Sequence, residues 1–175
     1  MKIKMMKLSA IVLPSKQPVW LMFMLISLIL ESVALVYQYA FDYPPCVVCI
    51  HIRLLLAGFF IFACLGLCLR SYIYLRFASL LALLGICAVS IERSWMLLGT
   101  ERGFIFASCG FDLGLPAWLA LDEWLPFLFK VHTTCGYTPD VAFGFTMAEV
   151  LLVFFSAMAV FILFLMLLVA KPAES

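Results

Sequence analysis

Charge is scarce in this chain. Only 12% of its 175 residues are Asp, Glu, Lys or Arg, against about a quarter in soluble domains, and 67% are hydrophobic. A water-soluble fold of this size could not hide so much apolar surface, so a single membrane domain is implied. Eleven basic and ten acidic side chains leave a net charge of +1, which excludes a strong field for nucleic acid or an acidic partner. Histidine is nearly absent too: His51 and His132 are too few for an imidazole-rich metal centre. Several cofactor motifs are missing. There is no G-x-G-x-x-G for a nucleotide cofactor and no C-x-x-C-x-x-C run for an iron–sulfur cluster. The haem signature C-x-x-C-H fails by one residue, because Ile50 stands between Cys49 and His51. No internal repeat or low-complexity linker breaks the chain.

What remains is four apolar segments, at about 19–40, 50–69, 72–91 and 144–170, each near the ~20 residues that cross a hydrocarbon core as a helix. The first continues too far, and lacks a convincing A-x-A site, to read as a cleaved signal peptide. Lys2, Lys4, Lys7 and Lys16 precede it, Arg70 and Arg76 flank the second connection, and Lys171 follows the last segment. The positive-inside rule sends these places, both termini included, to the cytoplasm. The connections at about 41–49 and 92–143 then face outward. The expected fold is an all-α membrane protein, a four-transmembrane-helix bundle with a long outer loop. Within that loop, Pro116 to Lys130 sets Asp122, Glu123, Pro126 and Lys130 against Trp118, Leu121, Leu125 and Leu128. That pattern fits a short interfacial helix that Pro126 kinks or ends, or equally an apolar flap over the bundle mouth.

The cysteines divide by side. Cys46, Cys49, Cys109 and Cys135 lie in or beside the outer connections, whereas Cys64, Cys68 and Cys87 lie inside expected helices. In a bacterium the outer side is the periplasm, where disulfides form and persist. Cys46-Val47-Val48-Cys49 opens a helix, whose N-terminus favours a thiolate, and Pro44 and Pro45 stiffen the approach. Arg53 is one turn past Cys49 on the same face and could steady a thiolate or polarise a ligand carbonyl; an interfacial anchor is its plainer reading. Cys109 and Cys135, each followed by glycine, could be a structural staple or a second exchanging pair. Two pairs on one side allow a relay, since thiolate attack on a disulfide passes two electrons onward. With nucleotide, cluster and haem acceptors excluded, a lipid quinone fits as the sink.

Three stretches together resemble the disulfide bond formation protein B (DsbB) family over nearly the whole chain. They are "ESVALVYQ" in the first helix, "PCVVCIHIR" opening the second, and Cys109 and Cys135 flanking "PAWLALDEWLPFLF". The resemblance implies a bundle in the bacterial inner membrane that reoxidises a periplasmic thioredoxin-fold oxidase, DsbA-like, and passes electrons to ubiquinone or another membrane quinone. It also implies two redox-active disulfides, Cys46–Cys49 and Cys109–Cys135. Cys109 would form the mixed disulfide with the partner, and Arg53 would stand beside the quinone. Gln38 matches a family glutamine. The chain departs from the pattern at the outer end of the third helix, where Glu92, Arg93 and Ser94 replace a histidine that some members carry near the quinone.

Two other readings stay open at this level. The four outer cysteines could bind one structural zinc, although only one pair has knuckle spacing. A quinone reductase of the vitamin K epoxide reductase type is the nearer rival, but its active C-x-x-C is expected late in the bundle. Cys64, Cys68 and Cys87 read as small apolar packing. Glu31 and Glu149 read either as part of a proton path or as partners of neighbouring polar groups. His51 reads as an interfacial polar residue on another side of its helix from the cysteines.

Overall fold

A computed structural model describes residues 17–105, 113–115, 120–133, 139–142 and 144–170. Four helices carry the fold: α1 (Gln17–Ala40), α2 (Val47–Cys68), α3 (Ile73–Glu101) and, last in the chain, α6 (Met147–Ala170). Each is long and apolar enough to cross a membrane. Between α3 and α6 lie two single-turn helices, α4 (Leu121–Trp124) and α5 (Pro126–Phe129), then a two-stranded antiparallel ladder of β1 (Asp140–Ala142) and β2 (Phe145–Thr146).

The four long helices run alternately up and down. α1 packs on α2, α2 on α3 and α3 on α6. The ring closes where Phe23 of α1 meets Phe161 of α6 edge-on, with Phe59 of α2 against the other side of Phe23. Lipid offers these helices no hydrophobic drive to associate, so close packing must hold them. Gly66 illustrates this. Trp20, fully buried, lies against α2 so closely that a Cβ on Gly66 would overlap its ring.

The helix ends follow local chemistry. Pro44 and Pro45 cannot extend a helix backward, and Cys46 in extended conformation caps α2, its Sγ accepting from the Cys49 N–H at 3.4 Å. Thr146 and Glu149 form half of a capping box at the start of α6, the Thr146 N–H donating to the Glu149 carboxylate. At the far end of α3, Gly103 adopts φ 75° and the Phe104 N–H returns to the Gly99 carbonyl, a Schellman ending.

Several boundaries differ from the expected ones. The third helix continues from Ile91 to Glu101, so the long outer connection begins only after it. Hydropathy falls at Glu92 and Arg93, yet the backbone ladder does not depend on hydropathy. Ser94 and Leu97 stay buried while Glu92 and Trp95 face out. The last helix starts at Met147 rather than near residue 144, because Gly144 turns a hairpin first. The expected interfacial helix is two separate turns broken at Leu125, whose φ of −133° is not helical and which precedes Pro126. Residues 116–119, Trp118 among them, lie outside the described residues.

Candidate functional site

The C-x-x-C motif sits on the first turn of α2. As cap and third helical residue, Cys46 and Cys49 bring their sulfurs to 2.8 Å, and either can donate to the other. Cys46 is buried and Cys49 half-buried. The hydrogen bond from the Cys49 thiol is the main cause that holds the Cys46 thiol down to about 7 from an ordinary 9.0; burial opposes it, and the backbone N–H groups of the first turn add to it. A thiol in that range is a thiolate for much of the time at neutral pH.

Arg53 stands one turn further in. It is only 5% exposed, unusual for a guanidinium, and three of its N–H donors are held by the protein. One nitrogen donates to the Gln38 side-chain oxygen and to the Leu128 carbonyl at 3.1 Å, and the other to the Ala34 carbonyl at 3.0 Å. Arg53 therefore ties α1, α2 and α5 together at the outer end of the bundle. Glu31 lies one turn below Ala34 on the same face of α1, and one of its carboxylate oxygens is buried without a hydrogen-bond partner among the described residues.

Cys49 and Arg53 share the wall of a cavity of about 400 Å³. Leu30, Val33 and Tyr37 of α1 form one side, Ile52 and Leu56 of α2 the back, and Leu97, Val150 and Leu151 the side towards α3 and α6. Asp42 and the two prolines before Cys46 stand at its outer rim. The lining is mostly apolar with a few polar groups at one end, the usual make-up of a small-molecule site. It suits a flat, apolar ring whose carbonyl oxygen can meet a guanidinium.

The outer loop is fastened to the same helix end. The His132 N–H donates to the Pro45 carbonyl at 3.0 Å, and Thr133 pairs with Cys46 as an isolated parallel bridge. Tyr39 donates to the Phe127 carbonyl. On the far side of α2, His51 Nε2 lies 2.9 Å from the Leu113 carbonyl.

Of the expected site residues, the structure brings Cys49 and Arg53 to one cavity wall, with Cys46 against Cys49. Cys109 and Cys135 lie outside the described residues. Gln38, which had only a family match, proves to be a direct partner of Arg53. His51, set aside in the sequence, is a loop contact that no local spacing could have revealed. Glu149 pairs with Arg102 across the α3–α6 seam. Cys87 is buried in the bundle, Cys64 is half-buried and Cys68 exposed on α2.

Comparison with known proteins gives the family. The family model "DsbB: Disulfide bond formation protein DsbB" matches residues 16–165. The chain is 32% identical over 161 residues to "Disulfide bond formation protein B" of Psychromonas ingrahamii, covering 89% of this chain and 85% of that protein. It is 30% identical over 162 residues to the protein of the same name from Shewanella frigidimarina, covering 89% and 92%. It is also 30% identical over 153 residues to that of Haemophilus influenzae, covering 87% and 86%.

Proposed function

The chain belongs to the DsbB family, as a multi-pass membrane protein of disulfide bond formation, and on that premise we propose that it is a quinone-dependent thiol oxidase of the bacterial inner membrane. It reoxidises a periplasmic DsbA-like dithiol protein. The observation that carries this reading is the shared wall: a thiolate-prone Cys46 in contact with Cys49, and Cys49 beside Arg53 on one apolar cavity.

The residues divide the work as follows. Cys109 takes the partner's thiolate as a mixed disulfide, and Cys135 is its loop mate. Cys135 follows Thr133 by two residues, and Thr133 pairs with Cys46, which supports exchange between the two cysteine pairs at that point. The partner's second thiol resolves the mixed disulfide with Cys109, and the partner leaves oxidised with the loop pair reduced. The Cys135 thiolate then opens the Cys46–Cys49 disulfide at Cys46, Cys49 leaving as thiolate. Cys109 resolves the Cys46–Cys135 bond, so that the loop disulfide is restored and Cys46 and Cys49 are left reduced for the acceptor. Each passage converts one dithiol into a disulfide and moves two electrons and two protons onward. A membrane quinone, ubiquinone or a relative, would be held by the apolar wall of Leu30, Val33, Ile52 and Leu151, with Arg53 towards a ring oxygen. When bound, it supplies the two-electron, two-proton acceptor. With no histidine at positions 92–94, this chain's polar contact to the ring rests on Arg53.

The test is quinone reduction in detergent, driven by a reduced thioredoxin-fold oxidase, for wild type, Cys46→Ser and Cys109→Ser. The reading predicts that wild type is active and both variants are silent with the protein donor. It also predicts that Cys109→Ser still works with dithiothreitol. Wild type that transfers nothing to any quinone while carrying stoichiometric zinc overturns it.

A further inference from the structure

The outer end of α2 has two working faces. Cys49, Ile52, Arg53 and Leu56 line the cavity. Val47, Ile50, His51 and Leu54 lie on the opposite side at helical spacing, and there the loop is seated. Leu113, 5% exposed, packs with Val47, Ile50 and Phe129 in a small cluster separate from the main core of the bundle. A carbonyl can only accept, so the 2.9 Å contact requires a hydrogen on Nε2. Nδ1 is buried and without a partner among the described residues. The ring thus makes a single directed bond, and that bond goes to the loop.

Leu113 follows Cys109 by four residues in the sequence, and Thr133 precedes Cys135 by two. The span between the two cysteines is therefore fastened near both ends to α2, at His51 on one face and at Cys46 through Thr133. The second fastening belongs to the exchange already described. The first touches neither the cavity nor the C-x-x-C sulfurs.

Resting on the oxidase reading above, we infer that His51 is a positioning residue for the exchange between the two cysteine pairs. It holds the arm of the loop that follows Cys109 on α2 while the bond between the loop cysteines is open. That keeps the fastening at Leu113 separate from the one at Thr133 while the exchange at Cys46 takes place. The exchange chemistry itself is unchanged; only the fraction of the productive loop arrangement depends on His51. The step at the cavity, between Cys46–Cys49 and the acceptor, does not.

The experiment compares wild type, His51→Phe and His51→Gln in detergent, each with two donors: reduced thioredoxin-fold oxidase and dithiothreitol. Phe keeps the volume and removes the donor, whereas Gln restores an N–H at similar reach. Loss of one hydrogen bond corresponds to about a fivefold fall in turnover with the protein donor. His51→Phe is expected to show that fall with dithiothreitol turnover unchanged, and His51→Gln to recover most of it. Hydrogen exchange gives a readout apart from activity: the amides of Leu113–Leu115 should exchange faster in His51→Phe and not in His51→Gln. Equal loss with both donors, or no loss with either and unchanged exchange, overturns the inference while leaving the oxidase reading intact. A wild type inactive with both donors overturns the oxidase reading and this inference with it.

Discussion

Cys46 and Thr133 pair backbone to backbone, one of them the cap of a membrane helix and the other two residues short of Cys135 in the sequence. The loop to which the proposed function assigns Cys109 and Cys135 is thereby registered on the residue that begins the C-x-x-C motif. The His132 N–H, donating to the Pro45 carbonyl, sits in the same short pairing.

The pH dependence of Cys46 follows from its contact with Cys49. Its thiol is depressed from 9.0 to about 7, so the thiolate is stabilised in the folded protein. The sign is that of a lowered pKa: the extra stability of the reduced protein is fully present above about 9 and disappears as pH falls through about 7. Alkylation of reduced protein at Cys46 should rise through pH 7. Replacing Cys49 with Ala removes the largest cause and should move that midpoint upward.

Gln38→Leu leaves a buried guanidinium one acceptor short. Hydrogen bonds to charged groups contribute about 1.5–3 kcal/mol, and the variant should lose stability on that scale in chemical unfolding. Because Arg53 then holds its position through Ala34 and Leu128 alone, KM for quinone should rise more than kcat falls. Unchanged stability and unchanged KM would show that Gln38 does no such holding.

Two helical glycines make a controlled pair. Gly66→Ala drives a methyl into the Trp20 ring and should destabilise by about 1–3 kcal/mol, with a change in tryptophan emission. Gly85→Ala meets nothing within 4 Å and should be neutral or stabilising by about 0.5–1 kcal/mol. Similar behaviour of the two would contradict the close approach of α1 and α2 at Gly66.

Glu149→Ala removes both the ion pair with Arg102 and the return bond from the Thr146 N–H. Arg102 is mostly exposed, so solvent discounts the ion pair, and a combined cost of about 1 kcal/mol is expected, chiefly from the lost cap. Glu149→Gln keeps a side-chain acceptor and should recover part of it. Quinone reduction should be unaffected in both.

The sequence by itself determined the membrane, the number of spans and the position of the C-x-x-C at a helix start. These depend on composition and on proline's geometry, both local properties. It could not locate the end of α3, because polar residues from Glu92 onward end an apolar run without ending a backbone ladder. Nor could it pair Arg53 with Gln38, or His51 with Leu113. Those contacts join segments 15 and 62 residues apart, and no spacing along one helix encodes them. Only the packing of α1, α2 and the outer loop decided that Arg53 is buried and bonded rather than snorkelling to the surface. A guanidinium at that depth must have its donors satisfied, and the acceptors came from elsewhere in the chain.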